Sequence, residues 1–359
     1  MDQKLGFCTT DDGVRICYAT VGQGPPLVKA PNWLAHLGLE RHSPVWRHWW
    51  EELSKDHTLV RFDQRGSGLS DWEVEDLSFE TWVKDLEAVV DALELEQFDL
   101  LGISQGGPVG IEYTARHPER VKNLVLYGAY ARGSFRLGQP RVSEQVNALV
   151  TLTRIGWGRN NPLYRQLFAS MFLPEGTDEQ MDWFNELQRM STTPNNAANI
   201  IHEASCIDVL ESLPNVSVPT LIMHCRHDSV VRMDFGRQLE ALIPNSSFVV
   251  LEGRNHLLLE SEPAWAEFLK AVRAFLSGSD SPVMDSPAVQ PPVSYPDGLT
   301  QREVDVLKLV ATGKTDREIA QALTISVGTA STHVRNLLNK TGTANRTEAT
   351  LYAAQHGLV

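Results

Sequence analysis

Residues 99–110 read DLLGISQGGPVG, and how this stretch folds decides the architecture of most of the chain. Gly102-Ile103-Ser104-Gln105-Gly106 is a G-x-S-x-G. The run Phe98-Asp99-Leu100-Leu101 before it has the pattern of a buried strand. Gly106, Gly107 and the apolar positions Val109, Ile111 and Tyr113 open a helix directly after it. Strand, tight turn and helix is the setting that presents a serine hydroxyl at the open edge of a sheet. Ser104 is therefore a candidate nucleophile. A serine kept only for binding, or an inert turn serine, fits the same letters.

A nucleophilic serine needs a base, and the base needs an acid to orient it. In this kind of fold they follow in the order Ser, Asp, His, each after a later strand. Asp228 follows the run Thr220-Leu221-Ile222-Met223, and His256 follows Phe248-Val249-Val250-Leu251 within GRNHLLLE. Asp208 and Asp234 are rival acids that read as helical. His224 and His227 are rival bases that precede the last strand. The cluster His224-Cys225-Arg226-His227-Asp228 has metal-binding residue types. Neighbours on a strand end point different ways, however, and no second ligand group accompanies them, so no metal is expected. No cofactor is expected either.

With 359 residues and 42% hydrophobic content, the chain is long enough for two domains and a sizeable core. No run approaches the roughly 18–20 apolar residues of a membrane span. The start, MDQKLGFCTTDDG, lacks the basic and apolar regions of a signal peptide, which predicts a cytoplasmic protein without a membrane partner. Cys8, Cys17, Cys206 and Cys225 are too scattered for a disulfide framework. The net charge of −13 is unevenly spread. Residues 299–359 carry seven Lys/Arg against five Asp/Glu, a net +2 that leaves −15 on the rest. Only the tail suits a polyanion.

The stretch SGSDSPVMDSPAVQPPVSYP, with five prolines and almost no apolar period, reads as a linker, bounded here as 277–297. Before it, strand candidates are Gly13–Thr20, Leu27–Ala30, Thr58–Asp63, Phe98–Ile103, Asn123–Tyr127, Pro219–Cys225 and Ser247–Leu251. Helix candidates are Pro44–Ser54, Thr81–Leu93, Gly106–His117, Met233–Leu242 and Pro263–Leu276. Their alternation predicts a mostly parallel sheet covered on both faces over residues 1–276. The rhythm breaks at about 133–213, a helical insert that reads as a lid.

At this point residues 5 to 276 resemble an α/β-hydrolase. Asp63-Gln64-Arg65-Gly66-Ser67-Gly68-Leu69-Ser70-Asp71 is similar to that family's loop after an early strand. Ala115-Arg116-His117-Pro118-Glu119-Arg120-Val121 is similar to its segment after the nucleophile helix. One position departs. The family's His-Gly after the first central strand is replaced, with Pro31-Asn32 in its place. The resemblance implies an oxyanion or ligand site formed by Asn32, Trp33 and Gln105, the N–H groups of Trp33 and Gln105 converging. Loss of one oxyanion donor typically costs ~10²–10³ in turnover. Trp33, Trp46, Trp49 and Trp50 either line an apolar pocket or pack in the core; the last three fit helical spacing.

The tail, residues 298–359, divides into four short helices. Thr300-x-x-Glu303, Thr315-x-x-Glu318 and Asn345-x-x-Glu348 fit capped starts, and Ser326 caps the third helix. Thr324-Ile325 makes a turn between helices two and three, which is a helix-turn-helix with the third helix entering the major groove. The tail resembles the DNA-binding domain of LuxR-type regulators, through Leu299-Thr300-x-Arg302-Glu303, Glu318-Ile319-Ala320, His333-Val334-Arg335-Asn336 and Asn345-Arg346-Thr347-Glu348-Ala349. Ser331 stands where that family often has Lys. Thr329, Ser331, Thr332 and Arg335 are expected to face the groove. Lys314, Thr315, Lys340 and Arg346 are expected at phosphates, with His333 joining them. The resemblance implies a homodimer formed through the fourth helix.

Together these features predict an α/β-hydrolase-fold domain with a small all-α helix-turn-helix domain, acting as a ligand-responsive DNA-binding regulator. Its ligand is expected to be a small apolar molecule with a carbonyl: an ester, lactone or amide. The alternative is an active serine hydrolase whose turnover clears or generates the signal.

Overall fold

The computed structural model describes residues 3–33, 35–159, 162–278, 299, 301–323, 327–343 and 345–358. It divides into two compact units, Met1–Met284 and Asp285–Val359. Most of the expected linker, Thr300, the Thr324-Ile325 turn and the Ser326 cap lie outside the described residues. So do the side chains of Thr329 and Thr332.

The first unit is built on one eight-stranded sheet. In chain order come β1 (Lys4–Thr9), β2 (Arg15–Val21), β3 (Pro26–Lys29), α1 (Leu37–Glu40), α2 (Arg47–Leu53), β4 (Thr58–Phe62), α3 (Phe79–Ala92), β5 (Phe98–Ile103), α4 (Gly106–Arg116) and β6 (Val121–Tyr127). Four helices follow before the sheet resumes: α5 (Pro140–Gly156), α6 (Pro162–Phe172), α7 (Asp178–Ser191) and α8 (Pro194–Cys206). Then come β7 (Thr220–Cys225), α9 (Met233–Leu242), β8 (Ser246–Leu251) and α10 (Pro263–Leu276). The spatial order is β1-β2-β4-β3-β5-β6-β7-β8. The β1–β2 and β2–β4 pairs are antiparallel and every other pair is parallel.

All seven expected strands are present, with ends within about two residues of the sequence reading. The strand β1 was not expected. The helix α2 starts at Arg47 rather than Pro44, because the Ser43 hydroxyl takes the N–H groups of Val45 and Trp46 in a turn. Asp208 is not helical either. It lies beyond α8 and pairs with Arg132 in an isolated bridge.

Alternation along β6 separates the two faces of the sheet. Leu124 and Leu126 face α4, where Gly110 and Gly107 come close. Tyr127 points the other way, against Trp49 of α2 and Phe268 of α10. Trp46 stacks on Trp50 with centroids 5.2 Å apart, and Trp49 packs on Trp265 and Phe268. These three tryptophans are core residues and do not line the cavity at Ser104, although Trp50 also borders a separate pocket beside Gln3 and Arg61. The strands β5 and β7 are buried along their whole length, as strands covered on both faces of a parallel sheet should be.

The second unit holds α11 (Gln301–Ala311), α12 (Asp316–Leu323), α13 (Val327–Thr341) and α14 (Arg346–Gln355). Val304, Leu307, Val310, Ile319, Val334, Leu337 and Tyr352 form its core. The start of α12 is a capping box: Thr315 N–H donates to Glu318, and Glu318 N–H donates to the Thr315 hydroxyl. Asn345 caps α14 through the Glu348 N–H.

Candidate functional site

Ser104 lies at the end of β5 with φ of +52°, in the left-handed region. A non-glycine residue is held there at a cost of roughly 1–2 kcal/mol. Two backbone bonds hold it: Ser104 N–H donates to Tyr127 O, and Gly107 N–H donates to Ser104 O, each at 2.9 Å. Close approach explains the glycines that follow. A Cβ on Gly106 would lie 2.8 Å from the Pro31 carbonyl oxygen, and one on Gly107 would lie 2.3 Å from Ala129 Cβ.

Asp228 and His256 meet at the C-terminal ends of β7 and β8. Asp228 Oδ2 is 2.6 Å from His256 Nδ1, and both side chains are fully buried. Asp228 Oδ1 accepts from the N–H groups of Val230 and Val231 at 2.8 and 3.0 Å. Burial alone would raise the Asp228 carboxyl. The charge and hydrogen bond of His256, with the Val231 N–H, outweigh it and hold the carboxyl below its ordinary value. An ionised Asp228 only accepts, so Nδ1 carries a proton; in a neutral ring Nε2 then keeps its lone pair. That Nε2 is buried and has no hydrogen-bond partner. No hydrogen bond joins it to Ser104 in this structure.

The loop carrying His256 is anchored on three sides. The N–H of His256 donates to Phe172 O at 2.9 Å, and the Phe172 ring stands edge-on to the imidazole at 5.1 Å. His48 Nε2 and Trp49 Nε1 both bond Leu258 O at 3.0 Å. Glu262 ties Asn255 and the Leu259 N–H. The rival base His224 is spent on structure: its Nε2 sits 2.6 Å from Val231 O, and burial pushes its imidazole pKa down. The rival acid Asp234 lies in the first turn of α9.

Ser104 opens on a cavity of about 500 Å³ whose walls include Trp33, Gln105, Val146, Phe168 and Phe172. Trp33 packs against Trp157 and Phe168, at 5.7 and 5.5 Å between ring centroids. Gln105 donates its side-chain amide to Gln64 at 2.9 Å. Asn32 is not among the lining residues. Its side chain is buried, receives Lys29 Nζ and donates to Trp33 O at 3.2 Å. Burial lowers Lys29 to about 8, against the pull of Glu40. Lys29 and Phe172 thus shape the site without having been singled out in the sequence. Lys29 reads as a strand residue, and the irregular pattern of the insert hides Phe172.

In the second unit, Ser331 and Arg335 are exposed one turn apart on α13, and His333 is half-buried. Lys314 pairs with Glu318 at 3.9 Å, and Lys340 lies in the last turn of α13. Other expected contacts are already engaged. The Thr315 hydroxyl serves its cap. Asp316 accepts from both Ser331 and Arg346, and Arg346 also donates to Lys314 O at 2.6 Å.

Comparison with known proteins agrees with this architecture. The family model described as alpha/beta hydrolase fold matches residues 34–263. The one described as bacterial regulatory proteins, luxR family, matches residues 297–353. A pyrrolizixenacetamide deacetylase from Xenorhabdus hominickii is 27% identical over 272 residues, covering 75% of this chain and 97% of its own. An AB hydrolase superfamily protein from Bacillus subtilis is 28% identical over 260 residues, covering 70% of this chain and 91% of its own. An esterase from Exiguobacterium antarcticum shares the fold with a TM-score of 0.65 at 24% identity, over 76% of this chain and 98% of its own. Among the described residues, no helix is long and apolar enough to cross a membrane. The chain belongs to the alpha/beta hydrolase fold family and carries, after that domain, a helix-turn-helix DNA-binding domain of the luxR family of bacterial regulatory proteins.

Proposed function

We propose that this protein is a DNA-binding regulator whose hydrolase-fold domain engages a small carbonyl compound (an ester, lactone or amide) at Ser104. The observation that carries this is the opening of Ser104, on its strained turn, into a largely apolar cavity of about 500 Å³ in a chain with a luxR-family domain. Ligand occupancy changes how the helix-turn-helix units, acting as a homodimer, engage DNA. Arg335 and Ser331 face the groove, while Lys314, Lys340 and His333 serve the backbone.

A second reading, an active serine hydrolase, is favoured by one observation: Asp228 orients His256 at 2.6 Å and leaves Nε2 unpartnered. Ser104 Oγ would attack the carbonyl carbon while Nε2 takes its proton. That proton then leaves with the alcohol or amine, and water releases the acid. Trp33 and Gln105 supply the oxyanion N–H groups. A deacetylase among the relatives supports an acyl carbonyl at Ser104.

Intact-mass analysis after a fluorophosphonate probe separates the two. A single adduct lost in Ser104→Ala and His256→Ala supports an activated serine. No adduct on folded wild type refutes turnover and leaves binding. If Ser104→Ala still binds ligand and still switches transcription, catalysis is not the signal.

A further inference from the structure

The cavity beside Ser104 contains one charge that neither function uses. Among the described residues, Arg132 is the single charged residue lining it, and no Asp or Glu shares the wall. We infer that Arg132 receives a carboxylate of the ligand, so that the domain takes acyl compounds carrying an acidic group as well as the carbonyl at Ser104. This assignment rests on Ser104 engaging a carbonyl ligand, and it adds the substrate class.

Arg132 is held ready but not neutralised. Its Nε is buried without a hydrogen-bond partner. Its Nη1 reaches only the Arg136 carbonyl, at 3.5 Å. The neighbouring arginine is employed differently: Arg136 Nε donates to Cys206 O at the end of α8, at 2.9 Å. Asp208 is the acid best placed to pair with Arg132, across the isolated bridge between them. Its carboxylate instead caps the Leu210 N–H at 3.2 Å. A buried donor without an acceptor is a cost that a ligand oxygen would remove. A guanidinium presents a planar fork that matches a carboxylate, and a low-dielectric surround strengthens the pairing. The apolar walls Val142, Val146, Leu149 and Ile201 suit a short hydrocarbon chain joining the two ends.

The test uses the full chain and two esters of equal acyl length, mono-4-nitrophenyl adipate and 4-nitrophenyl hexanoate. The readout is the ratio of kcat/KM for the acidic ester over the neutral one, taken within one sample so that the folded fraction cancels. Wild type should favour the acidic ester by about tenfold or more, as a site built to pair a polar group discriminates against an analogue lacking it. The ratio should fall to about one or below in Arg132→Met and lie between in Arg132→Lys. A wild-type ratio near one, or one that survives in Arg132→Met, overturns the assignment. If wild type hydrolyses neither ester, the carboxylate site is tested by calorimetric binding of adipate. Binding weakened about tenfold or more by Arg132→Met supports the site. Absent binding, or equal binding by both proteins, overturns it.

Discussion

Replacing Asp228 by Asn tests the proposed acid–base pair with almost no change of shape. Asp228 Oδ1 accepts from Val230 and Val231 N–H at 2.8 and 3.0 Å, so the amide carbonyl of Asn settles there. The amide NH₂ then occupies the place of Oδ2, 2.6 Å from His256 Nδ1. Two donors cannot face each other, so Nδ1 must become the acceptor and the ring proton moves to Nε2. A protonated Nε2 cannot take the Ser104 proton. The nearby His224 cannot substitute, since its Nε2 is 3.8 Å from Asp228 Oδ2 and bound to Val231 O. The expected loss is ~10⁴-fold in the chemical step, about 5 kcal/mol of barrier. The assay is the rate of fluorophosphonate adduct formation by intact mass with excess probe, alongside thermal unfolding. The melting temperature should move little, because both backbone N–H groups keep their acceptor. Folded Asp228→Asn labelling within about tenfold of wild type would refute the reasoning that Asp228 sets the tautomer of His256.

Lys29→Met should change the alkaline limb of stability. Burial lowers the Lys29 ammonium from 10.5 to about 8, so between those values the unfolded chain holds a proton that the folded chain has released. Wild-type stability should therefore rise with pH relative to Lys29→Met across that window. Denaturant titrations giving a pH-independent gap from 7.5 to 10.5 would contradict a neutral buried Lys29. Gly107→Ala should destabilise the first unit by about 1–3 kcal/mol, since the new methyl would lie 2.3 Å from Ala129 Cβ; an unchanged urea midpoint would exclude that crowding. Arg335→Ala should weaken binding to the preferred DNA sequence by about 1–3 kcal/mol and relax base preference at the position it reads; unaltered affinity and preference would remove it from the groove. Arg346→Ala should instead lower the unfolding temperature of the second unit, because Arg346 ties the start of α14 to Asp316 and Lys314 O.

What was legible in the sequence was whatever a strand and its following loop encode together. Ser104, Asp228 and His256 each sit in the loop that follows a strand, so their order could be read without knowing a single distance. The strand β1 was hidden because its pattern is inverted. Leu5 and Phe7 are about half exposed, at 51% and 50%, and Phe7 is covered by the Arg15 guanidinium 4.8 Å from its ring. The tryptophans of α2 could not be assigned to core or pocket, because Trp265 and Phe268, which bury Trp49, lie more than two hundred residues on. Asn32 falls where the sequence suggested an oxyanion group, yet Lys29, three residues earlier, turns its side chain inward. Arg132, Phe172 and the cavity between them depend on how the insert folds back over Ser104, which no local period records.

Phe172 joins the cavity to the proposed base. It lines the cavity, its carbonyl accepts the His256 N–H, and its ring stands against the imidazole. A ligand that displaces α6 therefore displaces the proposed base. The His256 loop is tied to α2 through Leu258 O, which both His48 and Trp49 hold. A hydrolase would use this chain of contacts to close Ser104 onto Nε2. A sensor that has given up turnover would keep the same contacts to report occupancy. Ser104→Ala separates the two cases because it removes the reacting oxygen alone and leaves every contact of Phe172 in place.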